Sequence, residues 1–184
     1  MDAGRTPPRG RGATSGAAHE IERVWVLTAA PTIPAGAPTW RIEQGYLPEH
    51  GLDADQFAEG RIRRIQHDDG RVECLHTIKR GSGMVRQETE RTIDAATFER
   101  LWPSTQGCRI RKIRHRVQQG GLIWEVDQFL DWPLWMAEVE LPSESTTVTL
   151  PAWLQAVAGT EVTHDPRWRN HALAMHGPPS QPRG

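Results

Sequence analysis

The stretch EIERVWVL, residues 20–27, alternates polar and apolar residues and therefore predicts a β-strand with two different faces. Successive strand residues point to opposite faces, so residues two apart share a face. Glu20, Glu22 and Val24 lie on one face, and Trp25 lies on the other. Two carboxylates spaced about 6.5–7 Å along one face repel each other, so this strand is expected to need a counter-charge.

Seven further segments with the same period follow, separated by turn sequences such as HDDG (67–70), RGSG (80–83) and QQGG (118–121). About eight strands joined mostly as hairpins predict a mainly β, α+β fold. We expect an eight-stranded antiparallel sheet closed into a tunnel-like barrel, with a charged interior and a few flanking helices. The strand segments are EIERVWVL, WRIEQGYL, GRIRRI, VECLHTIK, MVRQETERTI, RIRKIRHRV, LIWEVDQF and WMAEVEL.

Three stretches favour helices. In DAATFERLWP, Asp94 is the expected N-cap. In TLPAWLQAVAG, Pro151 suits the first turn and Gly159 the end. In DPRWRNHALAM, Asp165 is the expected cap. Residues 143–148, SESTTV, are compatible with either a strand or a helix start.

The length of 184 residues predicts a single domain. Residues 1–18 and 176–184 are rich in Gly, Pro and Arg and are predicted to be disordered tails around a folded domain of residues 19–175. Cys74 and Cys108 fit no disulfide framework or paired metal motif, which favours a reduced protein. The sequence has no apolar run of about 18–20 residues and no signal-peptide pattern, so we expect a cytoplasmic protein without a membrane partner.

Charges of one sign are grouped on individual strands, although the net charge is only -1. A simple solvated face would mix the signs, because like charges at this spacing repel by roughly 2 kcal/mol at an effective dielectric near 20. The apolar residues opposite these charges, such as Ile62, Val126 and Val139, would pack outside, under the helices. The same-face pairs are Glu20/Glu22, Arg61/Arg63, Glu88/Glu90, Lys112/Arg114, Glu125/Asp127 and Glu138/Glu140.

The sorted charges predict ligands of two kinds. Basic pairs converging from several strands suit a ligand with several phosphates, since Arg and Lys donate charge-assisted hydrogen bonds to phosphate oxygens. Acidic pairs suit hard divalent cations, which take oxygen ligands and bridge to phosphates. A closed barrel with a charged bore would hold both.

With these residues in place, the chain resembles the CYTH family, the triphosphate tunnel metalloenzymes, from about Glu20 to Ala174. The motifs follow in order as EIERV, QGYL, RIR, TIK, RQETE, KIR, EVDQF, AEVEL and EVTHDPRWRNHALA. The short bacterial form is the most similar. The resemblance implies a hydrolase of inorganic triphosphate, a nucleoside triphosphate or polyphosphate that uses Mg²⁺ or Mn²⁺.

The resemblance also implies roles for individual residues. Glu88, Glu90 and Asp127 match acidic positions that serve as metal ligands or as orienting partners of the basic groups. Catalysis is assigned to Glu20, Glu22, Lys79 and Arg86. The main metal ligands would be Glu20, Glu22, Glu138 and Glu140, and the phosphate-binding residues would be Arg61, Arg63, Lys79, Arg86, Lys112 and Arg114.

Val24 departs from the family's opening motif, which ends in lysine. Arg23 cannot replace that lysine, because it points to the opposite face. By analogy with an oxyanion-hole donor, losing such a cation slows an enzyme about a hundredfold to a thousandfold. The sequence leaves open a retuned triphosphatase, which we favour, and a non-catalytic triphosphate- or polyphosphate-binding module. Binding or processing of an RNA 5′-triphosphate end is a third possibility, although the chain lacks the net positive charge of a general nucleic-acid binder.

Overall fold

A computed structural model describes residues 18–48, 60–80 and 85–179. All eight expected strand segments form strands, and a short ninth strand follows them. The strands are β1 (Ala18–Leu27), β2 (Thr39–Tyr46), β3 (Arg61–His67), β4 (Val72–Arg80), β5 (Val85–Ile93), β6 (Arg109–Gln119), β7 (Leu122–Phe129), β8 (Trp135–Glu140) and β9 (Ala158–Glu161).

All of the strand pairings are antiparallel, and the sheet order is β5-β4-β3-β2-β6-β7-β8-β1-β9. The strand β1 also pairs with β5, over Ala18–Ile21, so that each strand from β1 to β8 has a neighbour on both sides. The rest of that edge of β1, at Trp25 and Leu27, is occupied by β9.

The prediction of a mainly β antiparallel fold with few helices is therefore confirmed. The prediction of an eight-stranded closed barrel needs correction, because the sheet has nine strands and β1 shares one edge between β5 and β9. The link between β1 and β5 covers four residue pairs only. The pairing of β1 with β5 stops at Ile21, and β9 hydrogen-bonds to the rest of that edge of β1.

The helices are short: α1 (Ala95–Leu101), α2 (Ala152–Gln155) and α3 (Asn170–His176). Asp94 caps α1 as predicted, with its carboxylate accepting from the backbone N–H of Thr97 at 2.6 Å. The helix α2 ends well before Gly159, which instead lies in β9. Asp165 caps a separate 3₁₀ turn before α3, and residues 143–148 form neither strand nor helix.

Two apolar clusters lie on the outer face of the sheet, as expected. One packs Trp25, Trp124 and Val139 against Leu154 of α2. The other packs Ile62 against Phe98 of α1.

A third cluster lies on the opposite, charged face and was not predicted. Val26, Ile110, Phe129 and Met136 pack there with Leu173 of α3. We call it the inner apolar cluster, and it shows that helices cover both faces of the sheet.

The tail predictions fall largely outside the described residues, which begin at Ala18, the first residue of β1, and stop at residue 179, after α3 ends at His176. Within the described ranges, no helix is long and apolar enough to cross a membrane.

Candidate active site

The strand register places opposite charges side by side on one face. Directly paired residues of antiparallel strands point to the same side of a sheet. Arg114 on β6 pairs with Asp127 on β7, and Arg116 pairs with Glu125. Glu125 in turn pairs with Glu138 on β8. The alternation predicted from the sequence thus brings residues of three strands together.

Asp127 lies at the centre of this group and is fully buried. Its Oδ2 accepts hydrogen bonds from Lys112 Nζ at 2.5 Å and from Arg114 Nη2 at 2.6 Å, and its Oδ1 accepts from Arg114 Nε at 2.7 Å. The side chains of Lys112 and Arg114 are only 2% and 8% exposed. These ionic groups are therefore enclosed, and a carboxylate fixes the orientation of both cations.

Arg114 also binds the carboxylates of two further strands. Its Nη2 donates to Glu138 Oε2 at 2.8 Å, and its Nη1 donates to Glu125. Arg116 Nε donates to the other oxygen of Glu125 at 3.0 Å. The network thus connects β6, β7 and β8 through their side chains.

The electrostatics of the network follow from burial and pairing. Burial opposes the charge of Asp127, but Arg114 and Lys112 outweigh it and hold the pKa of this carboxyl below its usual range. Burial also opposes the charge of Arg114, yet its carboxylate neighbours raise the pKa of the guanidinium. Burial and the adjacent Arg114 lower the pKa of Lys112. The ammonium is thus the least favourably placed charge in the network.

A second group of charges lies on β3, β4 and β5. Arg63 Nη2 donates to Glu90 Oε2 at 2.6 Å, and the Thr77 hydroxyl donates to the same oxygen at 2.8 Å. Burial opposes the charge of Glu90, but Arg63, Thr77 and Arg61 together lower the pKa of this carboxyl. Glu90 is thus a carboxylate that orients a cation.

Arg63 connects this group to the first one. Its pKa is lowered to about 10, mainly by burial and then by the positive charges of Arg61 and Arg114. The guanidinium stays charged at neutral pH, and its buried Nε has no hydrogen-bond partner within the described part of the chain. Guanidinium groups of β3 and β6 are therefore close enough to repel one another, a crowding that an anion would relieve.

Tyr46 lies beside Arg61 on the same face. Burial raises the pKa of its phenol to about 12, against the lowering influence of Arg61, so it keeps its proton at neutral pH. Gln44 Nε2 donates to its oxygen at 2.7 Å. The Tyr46 hydroxyl therefore belongs to the polar group on this face.

Carboxylates of β1 and β8 lie opposite each other. Glu22 pairs in register with Glu140. The next pair on the same face is Val24 with Glu138. Glu140 is exposed, whereas Glu22 and Glu138 are partly buried. Among the described residues, however, no three His, Cys, Asp or Glu side chains are grouped closely enough to hold a metal ion.

Four predicted site residues have side chains outside the described part of the structure: Glu20, Lys79, Arg86 and Glu88. Their backbone positions are defined. Glu20 pairs with Arg86 between β1 and β5, and Lys79 pairs with Glu88 between β4 and β5. Their roles remain predictions.

Val24 lies on the charged face, opposite Glu138. Its side chain packs against the inner apolar cluster, and its backbone N–H donates to the Thr163 hydroxyl at 3.1 Å. Arg23 points to the other side, where it pairs with Glu161 at 2.5 Å. Arg23 therefore lies on the face opposite Val24, as the alternation of the strand predicts.

Sequence reasoning missed two members of the ionic network, Arg116 and Glu125. The alternation places Glu125 on the same face as Asp127 but assigns it no role, and it assigns none to Arg116. The signal was present, because Lys112, Arg114 and Arg116 continue one alternation along β6.

Comparison with known proteins gives the family. No family model matches the chain. An inorganic triphosphatase of Nitrosomonas europaea is 34% identical over 166 residues, which cover 86% of this chain and 99% of the relative. The chain belongs to the inorganic triphosphatase family.

A second relative and a solved structure support this assignment. An inorganic triphosphatase of Acetivibrio thermocellus is 44% identical over 69 residues, covering 36% of this chain and 42% of the relative. A solved crystal structure of an inorganic triphosphatase matches with a TM-score of 0.55 at 34% identity, over 87% of this chain and 100% of that one. The predicted enzyme class, a hydrolase of phosphoric anhydrides, is confirmed at the level of the family.

Proposed function

We propose that this chain hydrolyses inorganic triphosphate, or another small triphosphate, in a tunnel bounded by strands β1 to β8, as a short triphosphate tunnel metalloenzyme of the CYTH type. The observation that carries the proposal is the crowding of cations from two strands around Arg63. The pKa of Arg63 is lowered to about 10, mainly by burial and then by the positive charges of Arg61 and Arg114. Carboxylates bind part of this positive charge, Glu90 at Arg63 and Asp127 at Arg114. The buried Nε of Arg63 has no partner among the described residues and remains a donor for an anion.

The cations divide into two roles. Arg61 and Arg63 bind phosphate oxygens directly, and the Nε of Arg63 supplies a buried donor for one of them. Arg114 and Lys112 are held by Asp127 and add positive charge close by. Asp127 therefore orients the cations instead of binding a metal, because both of its oxygens already accept hydrogen bonds from them.

The acidic residues of β1 and β8 fit a hard divalent cation by their chemistry. Glu22 on β1 faces Glu140 on β8, and Glu138 lies two residues away on the same face, so carboxylate oxygens of two strands lie on one side of the sheet. We assign the facing pair, with Glu20 and Glu138, to a Mg²⁺ or Mn²⁺ site. Such an ion would polarise phosphoryl oxygens and neutralise developing charge.

Val24 favours a second candidate function, a binding module without turnover. Val24 stands where the family motif has a lysine, and its apolar side chain packs against the inner apolar cluster. The row that contains Glu138 and Glu125 therefore has no cation at this position. Triphosphate binding would persist through Arg61 and Arg63, while the stabilisation of charge in the transition state would be weaker. The two functions therefore differ in rate and share the binding site.

Phosphate release from inorganic triphosphate distinguishes the candidates. The unsubstituted protein is expected to release phosphate with Mg²⁺ or Mn²⁺, and Val24→Lys is expected to raise the rate by about a hundredfold or more, the magnitude of one preorganised donor. Val72→Lys is the matched control, because Val72 lies at the start of β4 on the face away from Arg61 and Arg63 and is 57% exposed. This variant should leave the rate unchanged.

The outcomes separate cleanly. Tight triphosphate binding by calorimetry, with no phosphate release from either the unsubstituted protein or Val24→Lys, would establish the binding module. Absence of both binding and hydrolysis would overturn the proposal. Arg63→Gln should abolish binding in either case, because it removes the most crowded cation.

A further inference from the structure

The cations of β6 form a graded row from the interior to the solvent. The exposed fraction of the side chain rises from 2% at Lys112 to 8% at Arg114 and 32% at Arg116. Residues two apart on a strand are spaced about 6.5–7 Å. Arg116 therefore extends the row by one step toward solvent.

The opposite end of the same row is apolar. Ile110, two residues before Lys112, is fully buried in the inner apolar cluster together with Phe129 and Leu173 of α3. A hydrated anion would have to displace this packing to enter from that end. Along the described residues of β6, the solvent-exposed end of the row is therefore at Arg116.

The guanidinium of Arg116 is supported on two sides. Its Nε donates to Glu125 at 3.0 Å, and its Cζ lies 4.5 Å from the ring centroid of Trp40. The Trp40 ring in turn packs edge-to-face on His67, with ring centroids 4.9 Å apart. Stacking on an aromatic ring fixes the plane of an arginine and leaves its outer N–H groups directed away.

The outer nitrogens of Arg116 are available to a ligand. Within the described residues, neither Nη atom makes a hydrogen bond. Arg114 differs, because both of its Nη atoms are bound to carboxylates. Arg116 is thus a partly exposed, oriented cation with free donors, next to the buried row.

We propose that Arg116, braced by Trp40 and Glu125, is an additional anion subsite that contacts the fourth phosphate of a linear phosphate chain. This inference rests on the proposed function, which places three phosphates deeper in the site. A chain of four phosphates then gains a charge-assisted, two-donor contact that triphosphate cannot reach. Arg116 makes the site selective for chain length and has no part in the bond cleavage itself.

The test compares inorganic triphosphate with inorganic tetraphosphate by calorimetric titration in EDTA, which suppresses metal-dependent turnover. The unsubstituted protein should bind tetraphosphate at least about tenfold more tightly than triphosphate, which is the low end for a single charged hydrogen bond. Arg116→Gln should remove that preference and change triphosphate affinity by less than about threefold. Arg116→Lys should recover part of the preference, because it keeps the charge and loses the fork.

Arg111→Gln is the control, because Arg111 lies on the opposite face of β6 and pairs with Asp131. It should preserve the preference for tetraphosphate. Trp40→Leu is a second variant of the subsite and should weaken the preference through loss of the supporting ring. The affinities of the unsubstituted protein for triphosphate and tetraphosphate can be compared without any variant, so this part of the test does not depend on a variant folding correctly.

The results separate this subsite from the proposed function. The subsite would be overturned if the unsubstituted protein bound triphosphate and tetraphosphate with equal affinity. It would also be overturned if Arg116→Gln weakened the binding of both ligands by the same factor. Triphosphate binding itself would persist in either case. Failure of the unsubstituted protein to bind either chain would overturn the proposed function and the subsite with it.

Discussion

Asp127 is the residue on which the buried charges depend, since its two oxygens hold both Lys112 and Arg114. Removing one partner of a buried ion pair costs about 3–5 kcal/mol, because the other charge stays buried without compensation. We therefore expect Asp127→Asn to lower the free energy of unfolding by about that amount in denaturant titrations. Glu99→Gln, which removes an exposed partner of Arg64, should cost less than about 1 kcal/mol.

The same residue predicts how stability depends on pH. The pKa of Asp127 is lower in the folded protein than in the unfolded chain, where it is about 3.9. Its contribution to stability is therefore fully present above about pH 4 and is lost as the pH falls below that value. Asp127→Asn should have a shallower loss of stability between about pH 4 and pH 2 than the unsubstituted protein. Parallel curves would show that other carboxyl groups cause the acid loss.

At the scale of elements, alternation of residue type was sufficient to locate the eight long strands. It failed for β9, because AGTE has no apolar residue after Ala158 and carries a glycine, and such residues are depleted in strands. Its formation depends on the free edge of β1 beyond the end of β5, a tertiary feature that a local pattern does not contain. The placement of α3 on the charged face escaped prediction for the same reason, since its apolar residues do not specify which face they cover.

Gly159 predicts how closely β9 must approach β1. A Cβ atom at this position would lie 2.7 Å from the carbonyl oxygen of Val26, a backbone atom that cannot move without shifting the strand. Gly159→Ala should therefore lower the free energy of unfolding by about 1–3 kcal/mol and increase amide hydrogen exchange at Val26 and Leu27. Thr160→Ala, a substitution at the next, exposed position of β9, should change neither. An unaltered exchange rate in Gly159→Ala would show that β9 can be displaced without affecting β1.

The whole molecule has a net charge of -1, yet it gathers cations in its interior. Its long-range field therefore does not attract polyanions in general, and anion binding depends on entry to the enclosed group of Arg61, Arg63 and Arg114. The low net charge and the enclosed cations are independent features. The first argues against a general nucleic-acid binder, and the second is consistent with the phosphate ligand that the pattern of charges predicts. Size, as well as charge, should decide which anions bind.

Thermal unfolding tests this selection by size. A ligand that binds only the folded state at 100 times its Kd adds about 2.7 kcal/mol, which corresponds to about 5–10 °C in Tm for a chain of this length. We expect inorganic triphosphate to produce such a shift, and Arg63→Gln to reduce it strongly by removing a buried donor. Duplex DNA at the same phosphate concentration should shift the Tm by less than about 1 °C, because a duplex is too wide to reach these cations. An equal shift from DNA would place the anion-binding cations on the outer surface, where Arg41 and Arg111 lie exposed.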